Sequence, residues 1–252
     1  MLNLSDRLSV IAGCVSPGES VADIGTDHGL LPIFLWQRGI VSKIILSDIN
    51  EGPLEKARNN INLYAPDMIY SIRMDDGLNA IDYGEVDTVI IAGMGGLLMT
   101  RILEADTAKT LSFRKYILQP RSAQDKLRKW LFGRGFEIID EHLVREGKYI
   151  CEIIAAKPPD SDSVKANNKI HTESEHFGLK SNLQFEISPV LLSKQDPLLA
   201  EFIKQKIKKE EKVIPEILKF GSEKSKKKAV DAMDRLEELY SLLSQVTVDV
   251  PK

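Results

Sequence analysis

The sequence predicts an α/β protein built on a parallel sheet and followed by a helical domain. Short apolar strands alternate with helical patterns through the first half of the chain, which requires parallel strands joined by crossover helices. Each of the five predicted parallel strands runs into a polar or glycine-rich cluster. Beyond Lys157 this rhythm gives way to a polar stretch and then to two long helical repeats.

Leu4, Leu8 and Ile11 recur at helical spacing, so 4–15 reads as a helix that stops at Ser16-Pro17-Gly18. Ser20 to Ile24 is a buried strand and Leu30 to Arg38 a helix ending at Gly39. Lys43 to Ser47 is the second strand, closed by Asp48. Pro53 to Asn62 is a helix with proline in its first turn, where a missing N–H costs nothing. Ile69 to Met74 and Asp87 to Ala92 are the third and fourth strands, and Leu97 to Leu103 is a helix. Tyr116 to Leu118 is the fifth strand, and Ala123 to Phe132 the helix after it.

Phe136 to Leu143 and Lys148 to Ala156 are then two strands joined only by Arg145-Glu146-Gly147, hence an antiparallel hairpin. Five parallel strands with an antiparallel pair at one edge is the Rossmann-like sheet of class I methyltransferases. Dinucleotide-binding domains continue with parallel units instead. Residues 1–157 form this domain, and 158–252 a helical one that opens with a polar linker over 161–174. Within it Leu199, Ile203, Ile207, Ile214 and Leu218 share a face, with Pro215 expected to kink or split the helix. Ala229, Met233, Leu236, Tyr240 and Leu243 make a heptad-like seam, and Gly221-Ser222 can turn the chain between the two. A coiled-coil-like helical hairpin follows.

Composition excludes several classes. With 43% hydrophobic and 28% charged residues and a net charge of −3, the chain is an ordinary globular protein with no overall polycation character. Cys14 and Cys151 make no metal motif and no disulfide framework, so no metal is expected. The first residues lack a basic-then-apolar signal and no apolar run approaches a membrane span, so a cytoplasmic protein is expected.

Ligands of open α/β sheets sit beyond the carboxyl ends of the strands. Five such ends carry polar or glycine clusters here: Asp23 with Gly25, Asp48, Asp75-Asp76-Gly77, Gly93-Met94-Gly95-Gly96, and Gln119-Pro120. The spacing Asp23-x-Gly25-x-Asp27-x-Gly29 is not the pyrophosphate fingerprint Gly-x-Gly-x-x-Gly. A carboxylate at Asp23 repels a pyrophosphate and suits a cationic ligand such as S-adenosylmethionine. Gly25 and Gly29 let the backbone approach the ligand, or simply make a turn. Asp48 is placed to accept hydrogen bonds from ribose hydroxyls, or else to cap the next helix. Asp76 can accept from an adenine amino group or serve as a turn residue. Met94 offers a soft wall to a flat ring, or plugs the core. Asp27 and His28 place a carboxylate and an imidazole beside the reacting centre, unless His28 only caps the following helix.

The motifs are similar to those of the bacterial tRNA adenine-22 N1-methyltransferase family, TrmK. The resemblance rests on Arg7-Leu8 with Ile11-Ala12, the run Ala22 to Gly29 with Leu31-Pro32, and Gly52-Pro53-Leu54. It continues through Asp76-Gly77-Leu78, Ala92 to Gly96, Leu118-Gln119-Pro120, and Leu127-Arg128 with Trp130-Leu131. It spans Leu4 to Ala156 in order, and its family also carries a C-terminal helical domain. The resemblance implies methyl transfer from S-adenosylmethionine to N1 of adenine 22 in tRNA. It also implies that Gly25, Asp48, Asp76 and the Gly93-to-Gly96 loop hold the cofactor, and the full cofactor set expected is Arg7, Asp23, Gly25, Thr26, Gly29, Asp48, Ile49, Asp75, Asp76, Gly77, Ala92, Gly93, Met94 and Gly95. Gly96, Gln119, Pro120 and Arg121 face the substrate, and Asp27 and His28 are catalytic. Arg121 stands where many members have asparagine, Ser188-Pro189 where glycine-proline is common, and Lys165 to Phe185 is an insertion.

Ten lysines between Lys204 and Lys228 fall in the predicted C-terminal helices, which suits tRNA phosphates. Interleaved glutamates such as Glu210 and Glu216 make an ordinary solvated face the plainer reading. Arg121, Lys126, Arg128, Lys129 and Arg134 add a second basic stretch. A monomer or weak dimer is expected. Two other functions fit parts of the pattern: a methyltransferase for small molecules, which leaves the lysine-rich helices unused, and a non-catalytic RNA-binding protein, against which the retained acidic residues argue.

Overall fold

A computed structural model describes residues 2–159, 182–220 and 222–248. The expected linker at 161–174, most of the insertion at 165–185, and Gly221 lie outside these residues. The chain divides into two compact units, Met1–Asn168 and Lys169–Lys252.

The first unit alternates helix and strand as expected. Helix α1 (Asp6–Gly13) is capped by Ser5, whose hydroxyl accepts from Leu8 N. There follow β1 (Ser20–Ile24), α2 (Leu30–Gln37), β2 (Lys43–Asp48), α3 (Glu51–Tyr64) and β3 (Tyr70–Met74), then a 3-10 turn over Gly77–Ala80. Next come β4 (Thr88–Gly95), α4 (Gly96–Ala105), the short α5 (Thr107–Thr110), β5 (Lys115–Ser122), α6 (Gln124–Gly133), β6 (Glu137–Glu146) and β7 (Tyr149–Lys157). The sheet order is β3-β2-β1-β4-β5-β7-β6, with the first five strands parallel and β7 antiparallel to both neighbours. This is the class I methyltransferase sheet.

Successive strand residues feed opposite layers. Ile45, Val89, Ile91 and Leu118 pack with Met99, Leu103, Leu127 and Leu131. Ile44, Leu46, Ile90 and Ile117 pack with Ile11, Ile33, Ala57 and Ile61 on the other side. Because both faces are covered, the strands are continuously apolar rather than alternating. Strand order reverses between β1 and β4, the point where such sheets open a crevice at their carboxyl edge.

The helices α1, α3 and α4 differ from expectation by one or two residues at their ends, and three strand boundaries differ in ways that bear on the site. Strand β4 continues past Ala92 to Gly95, with register irregularities at Ala92/Met94 and Met94/Gly95. Strand β5 reaches Ser122 because it follows β4 through this bulged segment. The hairpin turns at Gly147-Lys148, not Arg145–Gly147: Glu146 still pairs with Tyr149, and Gly147 takes φ +60° as the first central residue of a two-residue turn.

Arg128 is fully buried and ties α6 to both hairpin strands. Its Nε donates to Glu141 Oε1 at 2.8 Å and its Nη2 to Glu152 Oε2 at 2.7 Å. The sequence reading placed it in a surface basic stretch; the structure withdraws it into the core.

The second unit contains α7 (Leu183–Glu186), α8 (Pro189–Lys194), α9 (Leu199–Leu218) and α10 (Glu223–Val248). Ser188 caps α8 and Pro189 occupies its first turn. Helix α9 runs unbroken with Pro215 inside its last turn, and it buries Leu199, Ile203, Ile207 and Ile214 but exposes Leu218. The α10 seam is rotated from the expected one. Ala229, Ala232, Leu239 and Leu242 are buried, whereas Met233 and Tyr240 are exposed. Arg235 fixes this rotation by bridging Glu186 at 2.9 Å and Glu210 at 2.5 Å.

Removing one partner of a buried ionic cluster leaves the others uncompensated, at a cost of about 3–5 kcal/mol. Arg128→Ala is therefore expected to lower the unfolding free energy by that amount, read from urea denaturation.

Candidate active site

The site is assembled where β1 and β4 diverge. Asp23 is the penultimate residue of β1 and only 8% exposed. Burial, with a smaller push from Asp48, raises its carboxyl from the usual 3.8 to about 6. The Thr26 hydroxyl beside it works the other way, though its geometry falls short of a full hydrogen bond. Above Asp23, the amides of Gly25 and Thr26 both donate to Ser47 O, at 2.8 and 2.9 Å. These amides are committed to stitching the β1 loop onto β2, so they do not form a phosphate cradle. Gly25 has φ +76°, and a Cβ there would overlap the tip of Met94. Met94 thus lies across the β1 loop and packs on the core.

The β4 segment Ala92-Gly93-Met94-Gly95 is held from β5. Gln119 is 2% exposed, and its Oε1 accepts from both Gly93 N and Arg7 Nη1, each at 3.1 Å. Its Nε2 donates to Pro120 O at 3.3 Å. Both polar ends of Gln119 are thereby engaged inside the protein, and Pro120 is buried beside it. Gly93 has φ +78° with nothing within 4 Å of the position a Cβ would take, so the chain is open to a ligand there. Gly96, by contrast, packs against the Ser122 and Ala123 carbonyls, and Arg121 is exposed.

Asp27 and His28 project from the β1 loop. Asp27 is 76% exposed, and its Oδ1 lies 3.2 Å from His28 Nε2. His28 adopts φ +62°, directly before Gly29 at +65°. A non-glycine residue held in this region marks a constrained loop and is a pointer to function. Asn60 of α3 holds it by donating from Nδ2 to His28 O at 2.8 Å. Gly29 rather than His28 is the N-cap of α2, so the capping alternative for His28 is not realised. The missing Cβ of Gly29 serves packing, because it would meet Ala57 and Leu46 and not the crevice.

Asp48 at the end of β2 accepts from Asn50 N at 2.8 Å through Oδ1, in a local turn, and Asn50 is the N-cap of α3. The adjacent Ile49 is exposed. Asp75 and Asp76 are both exposed at the end of β3, where Asp75 Oδ1 accepts from Asp76 N at 2.8 Å. Gly77 is buried, and a Cβ there would meet the Ile102 side chain at 2.9 Å. Among the described residues no group of His, Cys, Asp and Glu could hold a metal ion, and no helix is long and apolar enough to cross a membrane. Sequence reasoning missed Asn60 and the clamp function of Gln119 with Arg7. It also passed over the exposed Leu97 and Leu98 that follow the β4 segment. Only the rarity of histidine before glycine at a strand-to-helix turn hinted at a pinned loop.

A buried acidic residue, a glycine-lined crevice and carboxylates at successive strand ends define a sheet-edge site for a nucleoside-containing cation rather than a pyrophosphate. Residues 4–154 match the family model described as "Methyltransferase domain", and the chain belongs to that family. It is 28% identical over 243 residues to the Bacillus subtilis tRNA (adenine(22)-N(1))-methyltransferase, covering 96% of this chain and 98% of the relative. The crystal structure of the B. subtilis m1A22 tRNA methyltransferase TrmK superposes with a TM-score of 0.82 at 28% identity, over 96% of this chain and all of that one. Streptococcus pneumoniae Sp1610 in complex with S-adenosyl-L-methionine gives 0.75 at 29% identity, again over 96% and 100%.

Because the folded protein holds the Asp23 proton more tightly than the unfolded chain does, stability falls as pH rises from about 4 to about 6 and levels off above. At 1.36 kcal/mol per pKa unit, the whole effect is about 3 kcal/mol. Asp23→Asn, which has no charge to bury, should therefore stabilise the protein at pH 7 by up to about 3 kcal/mol and change little at pH 4. Urea unfolding at the two pH values checks this.

Proposed function

We propose that the chain transfers a methyl group from S-adenosylmethionine to N1 of adenine 22 in tRNA. The observation that carries this is the similarity over nearly the full length of both proteins, catalytic sheet and C-terminal helices alike, to an enzyme with that activity.

The residues at the sheet edge fit the cofactor. Asp23 is buried, electrostatically strained when ionised, and relieved by a cation. Asp48 would receive the ribose hydroxyls and Asp76, with Asp75 beside it, the adenine amino group. Ile49, Met94 and the open backbone at Gly93 would enclose the base and the sulfur side, while Arg7, Thr26, Ala92 and Gly95 shape the crevice around them. When bound, S-adenosylmethionine supplies an electrophilic methyl on a positively charged sulfur.

Adenine N1 carries a free lone pair, so the protein needs to orient more than to deprotonate. Well-oriented reactants gain up to roughly 7–11 kcal/mol over free ones. The ring becomes positive on methylation, and the exposed Asp27 carboxylate would stabilise that charge. His28, paired with Asp27, would orient the base or accept a proton from its amino group. Gly96, Gln119 and Pro120 are buried and would shape the substrate side only by supporting the β4 segment, with the exposed Arg121 facing the RNA.

Exposing N1 costs a few kcal/mol if the base is flipped from its stack. Phosphate contacts can supply this. Lys204, Lys208, Lys209, Lys212, Lys227 and Lys228 are exposed on α9 and α10, whereas Lys219 and Lys226 pair locally with Glu216 and Glu223. A cytoplasmic protein, monomeric or weakly dimeric, fits this substrate.

Labelled S-adenosylmethionine incubated with unmodified tRNA should yield 1-methyladenosine when position 22 is adenine and no label when it is guanine. Bound cofactor without label in either tRNA would overturn the reading in favour of a small methyl acceptor. In the same assay Asp27→Ala should abolish turnover and leave cofactor affinity within about twofold. Loss of cofactor binding would reassign Asp27 to the cofactor.

A further inference from the structure

The turn joining β6 and β7 lies on the same edge of the sheet as the crevice. Strand β7 runs antiparallel to β5, with Leu118 opposite Ile154 and Tyr116 opposite Ala156. The amino-terminal end of β7 therefore extends past the carboxyl end of β5, where Gln119 and Arg121 sit. Arg7 reaches both Gln119 and Glu146, the last residue of β6, which places the turn beside the carboxyl end of β5.

The tip is tied to the site. Arg7 Nε donates to Glu146 Oε1 at 2.9 Å, while the same guanidinium donates to Gln119, which in turn accepts from Gly93 N. Pairing with Arg7 offsets the negative charge of Glu146. What the tip then presents is cationic and aromatic. Lys148 is exposed, and Tyr149 is 64% exposed, with the Lys148 ammonium 5.3 Å from the centre of its ring.

An exposed aromatic ring beside cations, at the rim of a nucleic-acid-modifying site, is the arrangement on which unpaired bases stack. Such stacking tolerates any base and is lost on truncation to alanine. We propose that the β6–β7 turn is an RNA-docking element in which Tyr149 stacks on an unpaired nucleotide of the tRNA while Lys148, with Arg121, meets the flanking phosphates. Cross-strand pairing with Glu146 would account for Tyr149 as a turn stabiliser, but a turn closed by Gly147 does not need its ring uncovered. The inference rests on the tRNA reading above and adds to it a binding surface in the catalytic unit itself.

The test compares wild type, Tyr149→Ala, Tyr149→Phe and Lys148→Ala for tRNA dissociation constant, cofactor dissociation constant and methyl transfer. Stacking predicts that Tyr149→Ala weakens tRNA binding by about five- to a hundredfold with cofactor affinity unchanged, while Tyr149→Phe stays near wild type. Lys148→Ala should weaken binding and flatten its salt dependence. An active wild type with unaltered tRNA binding in Tyr149→Ala overturns the inference alone, as does equal loss in Tyr149→Phe, which would assign the effect to the hydroxyl. A wild type that neither binds nor methylates tRNA overturns both the inference and the functional reading. The thermal midpoint of each variant separates a lost contact from a lost fold, and an affinity loss that tracks unfolding also overturns the inference.

Discussion

A carboxylate is buried at the point where the strand order reverses, and much of the catalytic edge is arranged around it. Asp23 sits between β2 and β4, with the Asp48 carboxylate adding to the cost of its charge. Moving its backbone would break the parallel ladder on both sides. The charge is thus imposed by the sheet and is not a surface feature free to turn away. Ionisation near neutral pH weakens the folded protein, and under the proposed function the positively charged cofactor would offset that penalty. Stability given up at such a position for ligand recognition is a common exchange at functional sites.

Around this point the loops are held by contacts made from outside them. Ser47 O receives two amides of the β1 loop, Asn60 pins the His28 carbonyl, and Gln119 accepts from the Gly93 amide. These partners lie on β2, α3 and β5, elements that contribute Ile45, Ile61 and Leu118 to the core. Arg7 extends the network through Gln119 to Glu146 at the hairpin turn. The hairpin turn and the β4 segment are therefore joined by one chain of hydrogen bonds through Glu146, Arg7, Gln119 and Gly93.

Much of this was legible in the sequence, for identifiable reasons. Strands buried on both faces are uninterrupted apolar runs, and a glycine or aspartate at the end of each marks the edge. That is why β1, β2 and β3 fall within a residue of expectation. The extension of β4 to Gly95 was not legible, since three glycines within four residues look like a loop until a neighbouring strand supplies the pairing. The rotated seam of α10 escaped for a different reason. Ala229 serves heptads of either phase, and the choice of Ala232 over Met233 is set by Arg235 reaching two glutamates distant in sequence. Arg128 looked like one of several surface cations because its partners arrive from a hairpin later in the chain. The roles of Gln119 and Asn60 are invisible for the same reason: an amide side chain carries no signal about which backbone group it will hold.

Burial raises the Asp23 carboxyl, and the proposed function has the cofactor's positive charge lower it again. Carbon-13 labelling of the aspartate side chains, with Asp23 assigned by comparison with Asp23→Asn, allows its titration to be followed by NMR. The account predicts a midpoint near 6 in the free protein, well above an ordinary aspartate, and a clear fall when S-adenosylmethionine is bound. A midpoint near 4 in the free protein, or one that the cofactor leaves in place, would contradict it.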